Sequence, residues 1–207
     1  MEITIVIKND RGESRHSLDI DTSRTILDAL ERIRTSEMPS LTYRHSCHHG
    51  SCGTCGAIVN GKPRLMCLAR IEDLGGGEII VEPLKKMMQL EGVAVWPGSF
   101  FGNLPETGYL RKADGDNAAG TKRLEDCIEC GLCVAACPVD KGFTGPAALA
   151  AAEIELKKNP ARAVEMLTFA ARPDGARKCE RSFECSRVCP QAVAPGRRIT
   201  GLLALLK

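Results

Sequence analysis

Eleven cysteines in a chain of 207 residues, set at short and regular intervals, are where chemistry can begin. Cys47, Cys52 and Cys55 read C-x₄-C-x₂-C, and Cys67 stands a little farther on. Thiolates spaced in this way, on one tight loop and one following strand, suit two irons bridged by sulfide, the plant-type 2Fe–2S arrangement. Gly50, Gly53 and Gly56 lie between and after them. Glycine lets such a loop fold tightly and lets amide N–H groups approach the sulfurs with no β-carbon in the way. Hydrogen bonds of that kind tune a cluster's potential. A zinc site prefers two CxxC pairs, and a Rieske centre needs two histidines on one iron. With four cysteines already present, His45, His48 and His49 read as loop or interface residues.

A second run, Cys127, Cys130, Cys133 and Cys137 followed by Pro138, reads C-x₂-C-x₂-C-x₃-C-P. In two-cluster bacterial ferredoxins the fourth cysteine of such a run ligates the other cluster, so a partner run is required downstream. Cys179, Cys185 and Cys189 before Pro190 supply it. The crossed assignment gives Cys127, Cys130, Cys133 and Cys189 to one 4Fe–4S cluster. Cys137, Cys179 and Cys185 are left for the other. Ser182 stands where its fourth cysteine would be. A serine alcohol is a harder and poorer iron ligand than thiolate, which favours a 3Fe–4S cluster. The alternative is 4Fe–4S with Ser182 or another group as fourth ligand. Four, four and three cysteines account for all eleven.

The surrounding pattern shows what must position these residues. Ile3, Ile5 and Ile7 alternate as in a strand, Asp10–Glu13 forms a turn, and Ser17–Ile20 can return as a second strand. Asp21, Thr22 and Ser23 offer an N-cap for a helix over about 24–35, carried by Ile26, Leu27, Leu30 and Ile33 at helical spacing. Pro39 blocks its continuation. After the cysteine loop come strands at Ala57–Val59 and Arg64–Leu68 around an Asn60-Gly61 hairpin turn, then a final strand at Glu78–Pro83. The second half differs: an Ala-rich helix at Pro146–Lys158, another at Ala161–Ala171 and a short one at Ile199–Leu206. The expected class is α+β: residues 1–91 as a plant-type ferredoxin (β-grasp) domain, 92–121 as a Gly-rich connector, and 122–207 as an all-α bacterial-ferredoxin-like two-cluster domain.

Composition narrows the function classes. The net charge is +2 with both signs interspersed, and Lys85-Lys86 and Arg197-Arg198 read as solvated surface charges, so no nucleic-acid partner is expected. The apolar stretches Ile3–Ile7 and Leu202–Leu206 are far short of the ~20 residues that span a bilayer. The N-terminus lacks the basic and apolar regions of a secretory signal, so a cytoplasmic location is expected. A reducing compartment and an odd cysteine count both argue against disulfides.

With these residues in view, the chain resembles the iron–sulfur subunit of the succinate dehydrogenase and fumarate reductase family over nearly its whole length. The likeness is carried by Leu41-Thr-Tyr-Arg-His-Ser-Cys47, His48-His-Gly-Ser-Cys-Gly-Thr-Cys55, Cys137-Pro138, Thr144-Gly-Pro-Ala-Ala-Leu149, Cys185-Ser-Arg-Val-Cys-Pro190 and Pro195-Gly196. The resemblance implies a linear chain of three clusters, 2Fe–2S, 4Fe–4S and 3Fe–4S. It implies an FAD-containing catalytic subunit that interconverts succinate and fumarate, with no substrate site in this chain. It also implies a membrane anchor with a quinone near the three-iron cluster, and attachment through partners to the inner face of the cell membrane. The chain departs from quinone-reactive members in three places. Val139–Phe143 after Pro138 is short and has no Trp, Glu180 follows Cys179 where His is frequent, and Ser182 replaces Ile or Val. The alternative is the same relay serving a thiol- or heterodisulfide-reductase-like partner, as in some relatives, or another flavin dehydrogenase.

Aromatic residues make up only 4% of the chain, so in the second half cluster ligation must offset much of the ordering entropy. Iron removal by chelation should therefore abolish much of the helical circular dichroism. An unchanged helical signal in cluster-free protein would contradict this.

Overall fold

The computed structural model describes residues 1–98, 102, 103, 105 and 127–206. The connector expected over 92–121 therefore lies outside the described residues from position 99 onward, apart from 102, 103 and 105. The chain divides into two compact units. One comprises Met1–Ser99 with Ile128–Ala136, and the other Phe100–Cys127 with Cys137–Lys207.

The first unit is built on a five-stranded sheet. Strands β1 (Glu2–Asn9), β2 (Gly12–Asp19), β3 (Gly56–Val59), β4 (Lys62–Leu65) and β5 (Glu78–Glu82) lie in the order β2-β1-β5-β3-β4. β1 and β5 run parallel at its centre and the other pairs are antiparallel. Ile3, Ile5 and Ile7 are buried as their alternation requires, and Val6 is buried too, as befits a central strand. The β3–β4 hairpin turns at Asn60 and Gly61, both with positive φ (48° and 75°), the geometry of a primed two-residue turn. Asn60 also ties the turn to β5. Its side-chain oxygen accepts from the Ile80 amide, and its own amide donates to the Ile80 carbonyl. β5 is not the last strand: β6 (Met88–Gln89) and β7 (Val95–Trp96) form a separate ribbon.

Helix α1 (Ile26–Ser36) buries Ile26, Leu27, Ala29, Leu30 and Ile33. Its N-cap is Thr25 rather than a residue of Asp21–Ser23. Thr25 Oγ1 accepts from the Asp28 amide, and the Asp28 carboxylate accepts from the Thr25 amide, a reciprocal cap that a Thr-x-x-Asp pattern allows. Asp21 instead accepts from the Ser23 amide in a local turn. β2 begins at Gly12, well before the expected Ser17, because β1 pairs with it along its full length. A short helix α2 (Leu132–Ala136) lies within the second cysteine run, carries Cys133 and packs beside β4.

The second unit is helical. α3 (Pro146–Lys158) occupies the expected residues, with Pro146 at its first position and Gly145 as cap. α4 (Ala163–Ala171) follows a 3₁₀ turn at Pro160–Arg162, and α5 (Glu184–Arg187) is a single turn. α6 (Pro195–Leu205) starts four residues earlier than the expected Ile199, since Pro195 can open a helix. Leu149 of α3 and Ile199 and Leu202 of α6 share a core with Ala170 and Ala176.

α3 also buries two carboxylates, and each finds an arginine. Glu155 accepts from Arg162 at 3.0 Å, and Glu153 accepts from Arg198 at 3.0 Å and from Lys157. Arg198 is thus not a solvated surface charge but the half-buried partner of an acid on the facing helix. Arg198→Ala would leave Glu153 with only Lys157 from the solvent side, at a cost of about 1–3 kcal/mol. Thermal unfolding followed by helical circular dichroism should show the loss, with Arg198→Lys intermediate. Equal stability of Arg198→Ala and wild type would refute it.

Candidate iron–sulfur ligand sets

The first set sits on the irregular segment between α1 and β3 and on the turn after β4. Cys55 and Cys67 are buried, 3% and 5% exposed, with their sulfurs 3.3 Å apart. Their backbones are tied together because the Met66 amide donates to the Cys55 carbonyl. The free amides at the start of α1 complete the seat: Ile26 N–H donates to the Ala69 carbonyl and Leu27 N–H to the Met66 carbonyl. A helix N-terminus, which always has unsatisfied donors, thereby holds the segment bearing Cys67.

Cys47 and Cys52 form the other half of the set. Cys47 Sγ accepts from the amides of Ser51 at 3.2 Å and Cys52 at 3.3 Å, and the Cys47 amide donates to Cys52 Sγ at 3.5 Å. Thr54 Oγ1 lies 3.1 Å from Cys52 Sγ. The backbone N–H of His49 foremost, with those of Cys52 and Ser51, draws the Cys47 thiol down to about 6. Burial foremost, then the neighbouring Cys55, pushes Cys67 up to about 12. The loop therefore stabilises negative charge at Cys47, while at Cys67 thiolate charge needs a cation that replaces the proton. Iron is such a cation. Oriented amides on one side and a close, buried sulfur pair on the other fit a 2Fe–2S cluster.

The histidines have other partners. His45 Nδ1 lies 3.1 Å from His48 Nε2, and His49 Nδ1 contacts the Cys47 carbonyl. Tyr43 anchors the entry to the loop by donating to Glu31, which also binds Arg34 on α1. Neither Tyr43 nor Glu31 announced this role in the sequence.

The second run begins against the first loop. A methyl group at Gly53, where φ is +71°, would lie 2.4 Å from the Ile128 carbonyl oxygen and 3.0 Å from Cys130 Cβ. One at Gly56 would lie 3.1 Å from the Cys130 carbonyl oxygen. Cys130 is thus seated directly on the Cys52–Gly56 loop. Cys130 and Cys133 belong to the first unit, and Cys127 and Cys189 to the second. In the second unit, burial foremost pushes the Cys185 thiol up, and charge on Cys137 and Cys179 acts in the same direction. Cys185 is therefore within electrostatic reach of Cys137 and of Cys179. Ser182 is half-buried between Arg181 and Phe183, both with positive φ (57° and 60°). Among the described residues no three His, Cys, Asp or Glu side chains converge on a point as ligands of a single ion would. The thiolates of an iron–sulfur cluster are divided among several irons, two to each in a 2Fe–2S centre, and need no such convergence.

Comparison with known proteins defines the class first. A 2Fe-2S iron-sulfur cluster binding domain matches residues 7–94, and a 4Fe-4S dicluster domain matches residues 123–193. The fumarate reductase iron-sulfur subunit of Mycobacterium tuberculosis is 32% identical over 192 residues, 84% of this chain and 77% of that protein. The corresponding subunit of Escherichia coli is 32% identical over 201 residues, 89% and 82% of the two chains. A chain of the Mycobacterium smegmatis Sdh1 complex in the apo form superposes with a TM-score of 0.76 at 20% identity, over 99% of this chain and 95% of that one. The chain belongs to the family of fumarate reductase iron–sulfur subunits.

Gly53 yields a sharp expectation. Gly53→Ala combines a left-handed backbone with a clash against Ile128 and should cost most of the visible absorption of the first cluster in purified protein. Gly61→Ala, with similar φ and open space around it, should cost only about 1–2 kcal/mol and keep the cluster. Equal cluster content in the two variants would refute the role of the Gly53–Cys130 approach.

Proposed function

We propose that this chain is the electron-relay subunit of a succinate dehydrogenase or fumarate reductase, with no substrate site of its own. The observation that carries the reading is the seat of Cys130 on the loop of Cys52 and Cys55. A ligand of one centre packed against the ligands of the next suits a relay, whereas a diffusing carrier needs one centre only. Family membership supports the same reading. The N-terminal part is read as a plant-type ferredoxin of β-grasp type, and the helical part as a bacterial-ferredoxin-like two-cluster domain.

The ligand sets follow the cysteine spacing. Cys47 with Cys52, and Cys55 with Cys67, each hold one iron of the 2Fe–2S cluster, in keeping with the sulfur pairing. Cys127, Cys130, Cys133 and Cys189 hold the 4Fe–4S cluster. Cys137, Cys179 and Cys185 hold a 3Fe–4S cluster, with Ser182 at the vacant corner. The bound clusters supply one-electron redox centres. The protein supplies burial at Cys55, Cys67 and Cys185 and amide donors at Cys47, which set the environment of each centre.

The expected partners are an FAD subunit that interconverts succinate and fumarate and a membrane anchor with quinone near the third cluster. Among the described residues no helix is long and apolar enough to cross a membrane, which suits attachment through partners at the inner face. A second reading keeps the same relay but replaces the anchor with a heterodisulfide-reductase-like subunit. The short Trp-free segment Val139–Phe143 and Glu180 favour it. Purification with native partners separates the two readings.

The crossed ligand scheme is tested by Cys189→Ala. It should abolish the EPR signal of the 4Fe–4S cluster, leave that of the 2Fe–2S cluster, and halt succinate-to-acceptor electron transfer in the complex. Selective loss of the third cluster's signal would overturn the scheme.

A further inference from the structure

Among the described residues two buried side-chain polar atoms have no hydrogen-bond partner, Nε of Arg64 and Oγ1 of Thr144. Thr144 is 7% exposed. Its amide is taken, donating to the Asp174 carbonyl at 2.7 Å, but its hydroxyl is not. A hydroxyl withdrawn from water with nothing in exchange is destabilising, and such an atom points to a group that completes it. A trapped water would itself need two to four polar partners. Thr144 instead opens a buried run through Gly145 to Ala150 that brings no polar side chain.

The chain around Thr144 narrows what that group can be. The segment leaving Cys137 runs back along the segment that delivers Cys179. Thr144 is bonded to Asp174, and a methyl group at Gly142 would lie 3.7 Å from Lys178 Nζ. Phe143 and Cys179 pack against the same core of Leu149, Ala170, Ala176, Ile199 and Leu202. Thr144 therefore lies on the paired segments that leave Cys137 and lead to Cys179, and Cys185 is within electrostatic reach of both cysteines.

We propose that the Thr144 hydroxyl donates a hydrogen bond to a sulfur of the cluster held by Cys137, Cys179 and Cys185, and so raises that cluster's reduction potential. This rests on the ligand assignment proposed above. The acceptor is an anionic thiolate or sulfide sulfur. Reduction makes it more negative, so the donor stabilises the reduced state more than the oxidised one. Nothing in the sequence marks this role, since a threonine before Gly-Pro reads only as a residue leading into a helix.

The test is an EPR-monitored redox titration of the intact complex for wild type, Thr144→Val and Thr144→Ser. Valine keeps the shape and removes the donor. It should shift the third cluster's reduction equilibrium by about tenfold toward the oxidised state, about 59 mV for one electron, and leave the other two clusters unmoved. Serine should restore the wild-type value. Electron–nuclear double resonance should show an exchangeable proton coupled to the third cluster in wild type and in Thr144→Ser. An unmoved potential in Thr144→Val overturns the proposal. So does the lack of an exchangeable coupled proton in wild type, a measurement that needs no variant to fold. If iron and sulfide analysis of wild type finds no third cluster, the ligand assignment fails first and the proposal with it.

Discussion

Thiolates must reach their irons largely from irregular backbone, and the rest of the structure answers to that constraint. A helix or strand spaces side chains too evenly to wrap one small inorganic body by itself, so all the cysteines but Cys133 in α2 and Cys185 in α5 fall on loops or turns, and loops carry little stability of their own. Each loop is therefore fixed from outside. The turn bearing Cys67 is held by the first amides of α1, Cys55 is bonded through Met66, and the entry at Tyr43 is pinned to Glu31. The sheet and α1 serve as a frame whose ends, rather than faces, do the holding.

The two units meet the constraint differently. The first has a sheet with a well-filled apolar core that stands beside its cysteine loop. The second has short helices, a core of alanines and a few leucines and isoleucines, and two buried carboxylates neutralised by Arg198 and Arg162. Buried ion pairs of this kind contribute modest stability but are costly to break. They fix α3 against α6 and the 3₁₀ turn in one arrangement, and the segments carrying Cys137 and Cys179 lead directly into or out of that region.

Much of this was legible in the residues. The isoleucine alternation gave β1, Asn60-Gly61 gave the hairpin, and Pro146–Lys158 emerged with its limits intact. The cysteine spacing pointed to the iron–sulfur class that the domain families and relatives bear out. What escaped reading has physical reasons. Thr25 rather than Asp21–Ser23 caps α1, because the reciprocal partner Asp28 decides the matter and several cap-forming residues stand in a row. Arg198 looked like half of a surface pair, because its acid lies 45 positions away on another helix. The grouping of Ile128–Ala136 with the first unit depends on Gly53 leaving room for Cys130, a long-range fit that no local pattern encodes.

That fit bears on how the polypeptide is made. A ribosome releases the chain from its N-terminus, yet the sheet's central strand β5 is the last of its five to appear, and the Ile128–Ala136 segment follows some forty-five residues later. Until that segment emerges, the Cys52–Gly56 loop lacks the covering provided by Ile128 and Cys130. The Cys52–Gly56 loop thus passes an interval during synthesis before the residues that cover it have been made.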